Sequence, residues 1–372
     1  LAEPPQTGPI AVYGATGYTG RLVAAELARR GANFVLAGRN AAKLEIVAEE
    51  VGGARTASAP LEDPAALREL LEPCAAVISC AGPFVEHGEP VVRAAVAAGT
   101  HYLDTTGEQP FMRAVFDDHG PRAERAGIAL LTAMGFDYAP GDMLAALVAE
   151  DMGALDEIVL AYSMRGFGAS RGTAKSAIGM LGGADVEWRD GALVPASQSV
   201  GRGSFEFDQP VGRQRMMRYP AGEQITVPRH VETSNVRTML TAATVVPHHR
   251  LAGLAGLALP LQLALRTPAR RLVTFAAGRL PEGPNAEARR RARFEIVCEA
   301  RAGSRGRRGV VRGSDVYGLT AVITVEGALR CALPGYDRSG ALAPSQAFDP
   351  RAFLDSLSRA GLSCKLSPPK TA

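Results

Sequence analysis

Cysteine is scarce in this chain, and what there is excludes two kinds of architecture. The five cysteines (Cys74, Cys80, Cys298, Cys331 and Cys364) are scattered, odd in number and form no Cys-x-x-Cys pair. Neither a disulfide framework nor a zinc site is indicated, and no metal is expected. A reducing cytoplasm suits such a chain. Charge imbalance is also missing: the formal net charge is only +3, so overall charge does not point to nucleic acid. No long polar tract interrupts a composition that is 47% hydrophobic, which argues against disorder. The opening Leu-Ala-Glu-Pro-Pro-Gln is not a basic-then-apolar leader. A run long enough to span a bilayer is missing too. The uncharged, Leu- and Ala-rich stretch from Leu251 to Leu265 is about 15 residues against the roughly 20 a spanning helix needs, and Pro260 interrupts it. It reads as a buried helix or an apolar lid, with contact at a membrane surface left open.

The chain does have 372 residues, enough for two domains. Its most informative stretch is Gly14-Ala15-Thr16-Gly17-Tyr18-Thr19-Gly20, set between the apolar run Ile10–Tyr13 and a helical pattern from Arg21 to Arg30. Strand, glycine turn and helix in that order are the context of a dinucleotide fingerprint, here spaced GxxGxxG. Gly14 allows the tight turn, Gly17 lets a pyrophosphate approach the backbone, and Gly20 lets the helix pack close to the strand. The amides of the first helical turn would hold the phosphates. The second apolar run, Asn33 to Gly38, ends at Arg39, with Lys43 one helical turn on. An NAD site carries a carboxylate there for the ribose 2′-hydroxyl. A guanidinium instead suits a 2′-phosphate, so the expected cofactor is NADP(H).

Up to about residue 135, apolar runs at 10–13, 33–38, 54–58, 75–80, 100–104 and 127–133 alternate with helical patterns at 18–30, 41–51, 64–72, 88–98 and 109–126. That alternation predicts an α/β fold, a doubly wound (Rossmann) parallel sheet whose ligands lie beyond the carboxyl ends of the strands. Three strand exits there carry unusual residues. Cys80-Ala81-Gly82-Pro83-Phe84 is a stiff turn of little bulk, suited to the nicotinamide end of the cofactor. Asp104, Thr105, Thr106 and Glu108 gather polar groups on the next exit, where Glu108 could also be a helix N-cap. Gly135, Asp137 and Tyr138 follow the last strand, and Asp142 reads as the N-cap of a helix over 143–151.

Beyond about residue 150 the pattern becomes α+β. A strand is expected over 157–164, a helix over 171–180 with Thr173 near its start, antiparallel strands within 185–250, two more strands at 294–300 and 316–326, and a helix at 350–360. The expected boundaries are a nucleotide-binding domain at 1–140, an inserted α+β substrate or dimerisation domain with a mixed or antiparallel sheet at 141–335, and a segment at 336–372 that packs back on the first domain. Residues 289–312 contain nine arginines (Arg289, Arg290, Arg291, Arg293, Arg301, Arg305, Arg307, Arg308 and Arg312) against Glu295 and Glu299. They form either a solvated hairpin rim or a dock for an acidic carrier protein, a coenzyme A phosphate or a membrane headgroup. Aromatic residues are not interleaved, which speaks against nucleic acid.

Taken together these residues resemble the saccharopine-dehydrogenase-like oxidoreductases, and within them the trans-acting enoyl reductases. The resemblance lies in Gly14 to Gly20, Ala37-Gly-Arg39, Ala81 to Phe84, His87-Gly-Glu-Pro90, Tyr102 to Glu108, Gly135-Phe-Asp137, Gly172-Thr173, Leu280 to Pro284, Tyr317-Gly-Leu-Thr-Ala321 and Ser339 to Pro344. It implies a nucleotide-binding domain formed by both ends of the chain, an α+β domain inserted between them, and hydride transfer with NADP. Gly14 to Gly20 and Arg39 carry over as cofactor contacts, with Ala81 to Phe84 beside the nicotinamide. The family commonly has Tyr where His87 stands. The expected activity is NADPH-dependent reduction of a polarised double bond, a conjugated C=C of an acyl or polyketide intermediate. The alternatives are an imine on an amino-acid-derived substrate, or a non-catalytic NADP-binding scaffold. The candidate proton donors are His87, Glu108 and Tyr138, with Asp104, Thr105, Asp137 and Thr173 lining the substrate pocket. A carrier-bound acyl partner is expected, and a homodimer stays open.

Overall fold

The computed structural model describes residues 7–181, 185–196, 203–245, 279 and 281–371. The chain divides into two compact units, one made of the residues up to Ala139 with Tyr317–Ala347, the other of Pro140–Val316 with Phe348–Ala372.

The first unit is built on six short strands: β1 (Ile10–Tyr13), β2 (Phe34–Gly38), β3 (Arg55–Ser58), β4 (Ala76–Ser79), β5 (His101–Asp104) and β6 (Ala129–Leu131). All pairings are parallel, and Gly340–Ala341 adds a seventh strand beside β6. The order runs Gly340–Ala341, β6, β5, β4, β1, β2, β3, so the direction of winding reverses between β1 and β4. The central strands read as unbroken apolar runs because helices cover both faces, as burial of every residue of β1 and β4 requires. The covering helices are α1 (Tyr18–Arg29), α2 (Ala41–Glu50), α3 (Pro64–Leu71) and α4 (Phe84–Ala98). Their starts and stops are local: Asn40 and Asp63 cap α2 and α3 through their side chains, and Gly99 ends α4 in the left-handed region that glycine tolerates. Leu27, Leu44, Leu67 and Val91 are fully buried against the sheet.

The second unit carries β7 (Glu157–Arg165), β8 (Val186–Arg189), β9 (Ala192–Pro195), β10 (Gly203–Glu206), β11 (Arg213–Arg218), β12 (Val236–Thr241), β13 (Arg293–Ala302) and β14 (Arg305–Ser314). Its main sheet runs β10, β11, β12, β7, β13, β14 and then Ser363–Leu366, with only β12–β7 parallel on that path. This is the mixed sheet of the expected α+β domain.

Three elements differ from expectation. Residues 316–326 are not a strand but part of a helix, Val316–Cys331. Its Val, Ile and Thr content favours strand, and burial of Val316, Tyr317, Leu319, Ala321, Ile323 and Val325 on nearly every side removes the helical period. Helix α4 begins at Phe84 rather than 88, which puts His87 in its first turn. The C-terminal segment does not pack as one piece on the first unit: Gly340–Ala341 does, whereas Ser363–Leu366 pairs with β14, Leu366 opposite Gly309. A Cβ at Gly309 would lie 2.9 Å from Leu366 Cδ2 and 2.6 Å from Val148 Cγ2, so glycine makes the room for that strand.

The arginine-rich stretch is largely spent within the second unit. Glu295 stands opposite Arg312 and Glu299 opposite Arg308 across the β13–β14 hairpin, and both pairs form ion pairs, as do Arg289 with Asp315 and Arg291 with Glu287. Arg293, Arg305 and Arg307 donate to backbone carbonyls, leaving Arg290 and Arg301 without a side-chain partner among the described residues. Most of this charge is thus engaged within the hairpin and the helix before it, through carboxylates or backbone carbonyls. The 251–265 stretch lies outside the described residues. Among those residues no helix is long and apolar enough to cross a membrane, and no His/Cys/Asp/Glu group has the makings of a metal site.

Candidate functional site

The carboxyl ends of the parallel strands in the first unit bring most of the sequence-selected residues to one edge. At the switch between β1 and β4, Gly14 has φ 79°, and a Cβ on it would stand 3.0 Å from Ala81 N and 3.1 Å from the Cys80 carbonyl carbon. Glycine here is what lets the two strand exits touch. Gly20 is equally constrained: its Cβ would lie 2.3 Å from Gly14 O. Gly17 differs, since it is exposed and its Cβ would meet only Gly14 O, at 3.3 Å. That contact is tight but far looser than the one at Gly20, and the exposed position fits one kept bare for a ligand. Gly17 is also the N-cap of α1, with no side-chain cap and no acidic residue in the first turn. The first turn of α1 is therefore open to an anion, with no carboxylate of its own competing for the amides of Tyr18, Thr19 and Gly20. Ala15 is buried below them, the Thr16 carbonyl accepts from Arg21 Nε at 3.4 Å, and the Tyr18 ring meets Tyr317 edge-on at 5.1 Å.

At the β2 exit Arg39 and Lys43 are both exposed and have no acidic partner among the described residues. Asn40 caps the turn between them by accepting from the Lys43 amide at 3.0 Å. Two unspent cations beside a cradle of bare amides fit a dinucleotide carrying an additional phosphate.

The β4, β5 and β6 exits are tied into one piece, and the β5 exit is its hub. Glu108 is buried, and its two carboxylate oxygens accept from the amides of Phe84 at 3.0 Å and Val85 at 2.9 Å. Its side chain thereby caps α4, not the short helix that follows it. Glu108 is oriented in turn by its own amide, which donates to Thr106 Oγ1 at 3.0 Å. Asp104 is fully buried, and its Oδ1 accepts from the amides of Thr106 and Ala133, each at 2.9 Å. Tyr138 is fully buried and its hydroxyl donates to the Gly107 carbonyl at 3.0 Å. Cys80 holds the β4 exit to β1 through its amide, 2.8 Å from Tyr13 O. Burial, with the Asp104 carboxyl second, pushes its thiol up to about 12, so it stays protonated and is no nucleophile. Ala81, Gly82 and a cis Gly82–Pro83 bond lead to Phe84, whose ring packs 5.7 Å from Phe111.

Two side chains on this edge remain uncommitted. His87 is half-buried in the first turn of α4 with no side-chain partner among the described residues. Asp137 is half-buried on the β6 exit, also without a partner, and burial pushes its carboxyl up to about 6. Thr105 is half-buried near Gly135. Thr173 lies in the second unit, in the first turn of the helix Arg171–Leu181, and its amide donates to Ser170 Oγ at 3.1 Å, Ser170 being the cap. Asp142 is inside a helix, Ala139–Ala149, and its Oδ2 lies 2.8 Å from His230 Nε2, so it is not the cap expected from sequence.

Sequence reasoning missed the part played by Val316–Cys331. Thr320 Oγ1 accepts from the Phe136 amide at 3.1 Å and Thr324 Oγ1 donates to Met134 O at 2.6 Å, so this helix fixes the loop that carries Asp137. The signal was there in Tyr317-Gly-Leu-Thr-Ala321, read as a strand.

Residues 10–131 match the family model described as the saccharopine dehydrogenase NADP binding domain. This stretch is a saccharopine dehydrogenase NADP-binding domain. NADP(H) is accordingly the cofactor of the saccharopine dehydrogenase-like unit, and the bare Gly17 and unspent Arg39 fit it. A putative trans-acting enoyl reductase of Mycobacterium tuberculosis is 38% identical over 149 residues, which cover 38% of this chain and 36% of that protein. A trans-acting enoyl reductase of Mycobacterium ulcerans is 35% identical over 140 residues, covering 36% of this chain and 34% of the relative. The matched stretch thus spans about a third of these relatives' length. Among solved structures, apo histidine-tagged saccharopine dehydrogenase (L-Glu forming) from Saccharomyces cerevisiae superposes with a TM-score of 0.62 at 16% identity, over 97% of this chain and 100% of that one. That likeness shows a shared fold.

Proposed function

We propose that the protein is an NADPH-dependent reductase of a conjugated C=C bond in an acyl or polyketide intermediate, with Asp137 as proton donor. The observation that carries this reading is the division of labour at the sheet edge: Glu108 and Tyr138 are spent on backbone groups, whereas Asp137 has no side-chain partner among the described residues and burial raises its pKa. The names of the mycobacterial relatives support C=C as the target and a substrate presented by a separate carrier protein.

When bound, NADPH supplies a hydride for the carbon β to the substrate carbonyl. The chain's own residues do the rest. The α1 amides would hold the pyrophosphate, Arg39 and Lys43 the 2′-phosphate, and Cys80 to Phe84 would border the nicotinamide end. Asp137 delivers a proton to the α-carbon, and a carboxyl poised near 6 is matched to that task at neutral pH. His87 is the alternative donor, in the first turn of α4 and without a side-chain partner among the described residues.

The test is turnover of NADPH with enoyl thioesters and with cyclic imines. Asp137→Asn should lower kcat on an enoyl thioester by about 100-fold, remove a pH-dependent limb near 6 and leave NADPH affinity unchanged. Wild-type turnover by Asp137→Asn beside an inactive His87→Gln would move the donor to His87. Turnover of imines alone would replace C=C by C=N. Tight NADPH binding with no oxidation by any acceptor would leave a scaffold.

A further inference from the structure

Beneath the strand exits lies a buried polar set that the proposed reaction does not use. Ser79 stands opposite Asp104 in the β4–β5 register, and Tyr102 lies two residues before Asp104, on the same face of β5. Thr132 immediately precedes Ala133, whose amide Asp104 holds. All four side chains are sealed from solvent. Ser79 Oγ, Tyr102 OH, Asp104 Oδ2 and Thr132 Oγ1 have no hydrogen-bond partner in good geometry among the described residues. The Tyr102 hydroxyl nevertheless lies beside both the Asp104 carboxyl and the Ser79 hydroxyl.

The two carboxyl oxygens of Asp104 are thus in opposite situations. Oδ1 is the acceptor of two amides. Oδ2 faces hydroxyls that are not aligned to donate to it, in a site without water access, which is costly for an ionised oxygen and comfortable for a protonated one. We propose that Asp104 is a neutral carboxylic acid in the working protein, protonated on Oδ2 toward the Tyr102 and Ser79 hydroxyls, and that it is a positioning residue for Asp137. It acts through Ala133, held at φ 60°, a conformation a non-glycine residue adopts only when its surroundings enforce it. Four residues further on is Asp137.

The other titratable groups facing Asp104 are Tyr102, Cys80 and Glu108. Burial holds Tyr102 well above its ordinary range and Cys80 at about 12, so both are neutral. Burial first raises the Asp104 carboxyl, the amides of Ala133 and Thr106 and then the Tyr102 hydroxyl pull it back, and repulsion from Glu108 adds the smallest push, leaving it at about 7. The folded value is raised above the ordinary 3.8 of the unfolded chain. Between the two values the native state keeps a proton that the unfolded state has lost, so stability falls as pH rises through this window and levels off above it.

The experiment is thermal unfolding from about pH 5 to pH 8 for the wild type and Asp104→Asn. Asparagine is the neutral, isosteric partner: its carbonyl still accepts the two amides and its NH2 replaces the acid O–H. The expected result is that Asp104→Asn gains on the wild type steadily up to about pH 7 and then holds that advantage. A difference that is constant with pH would overturn the proposal. Infrared spectra in an Asp137→Asn background supply a second reading that survives a failure of Asp104→Asn to fold. A protonated-carboxyl C=O band at pH 6 that Tyr102→Phe shifts supports a neutral Asp104, and its absence refutes it. The kinetic arm alone rests on reading Asp137 as the acid: Asp104→Asn should keep kcat at neutral pH within a few-fold, and Asp104→Ala should lose kcat with KM for NADPH unmoved. Loss of kcat by both would deny the positioning role without touching the protonation state.

Discussion

Glu108 offers the sharpest separation of a clamp from an acid, since its two oxygens are occupied by the amides that begin α4. Hydrogen bonds to a charged group are each worth about 1.5–3 kcal/mol, and loss of a helix cap costs about 0.5–2 kcal/mol. Glu108→Ala removes both acceptors and leaves the amide of the buried Phe84 unpaired, whereas Val85 is 60% exposed and water can take over its amide. A net loss of about 2–4 kcal/mol follows. For a unit of this size that lowers the melting temperature by roughly 5–15 °C. Glu108→Gln keeps one acceptor but turns an NH2 toward the second amide, so it should lose about half as much. Thermal unfolding gives the sum, and amide hydrogen exchange at Phe84 and Val85 shows where it is lost. NADPH affinity should weaken with protection, because Pro83 and Phe84 lose their anchor. Were Glu108→Gln to melt and exchange like the wild type while turnover vanished, the clamp would be wrong and Glu108 would be the proton donor.

Two further outcomes concern the cofactor. Arg39→Ala should weaken NADPH about 10–100-fold in a binding titration and leave NADH unchanged, since one charge-assisted contact to the 2′-phosphate is lost; equal loss for both nucleotides would refute a role at that phosphate. Gly17→Ala should fold, losing far less stability than Gly20→Ala, yet bind NADPH poorly, because its Cβ meets only Gly14 O, at 3.3 Å. Gly20→Ala should fail to fold stably, its Cβ being 2.3 Å from the same oxygen. Circular dichroism melts beside the titrations distinguish these two, and matching behaviour of the pair would remove the argument that Gly17 is kept bare for the ligand.

The first sheet was legible because its signals are local. Six apolar runs separated by helical patterns place β1 to β6 within a residue or two, and Asn40, Asp63 and Gly99 punctuate the helices where short-range chemistry says they should. What could not be read came from distant partners. Helix α4 begins four residues early because its cap, Glu108, lies 24 residues downstream. Residues 316–326 look like a strand because their burial on most sides is set by neighbours, which erases the 3.6-residue period. At the site, the acidic cluster was visible but not its roles. Glu108 and Tyr138 are chemically plausible acids whose hydrogen bonds are already committed. Asp137 stands out only once it is seen to have no partner and a desolvated carboxyl. Thr173 shares a family motif with the others, yet belongs to the other unit.

The backbone passes between the two units at residues 139–140, 316–317 and 347–348, so neither unit is a continuous piece of chain. A fragment cut at the limits of the family match, 10–131, would be a torso: it would lack the Asp137 loop itself, the Thr320 and Thr324 that anchor it, and the Gly340–Ala341 edge strand beside β6. During synthesis the NADP-binding unit must wait, after Ala139, for about half the chain to emerge before the helix Val316–Cys331 arrives. An engineer wanting that unit alone would have to splice Ala139 to Tyr317, rather than truncate.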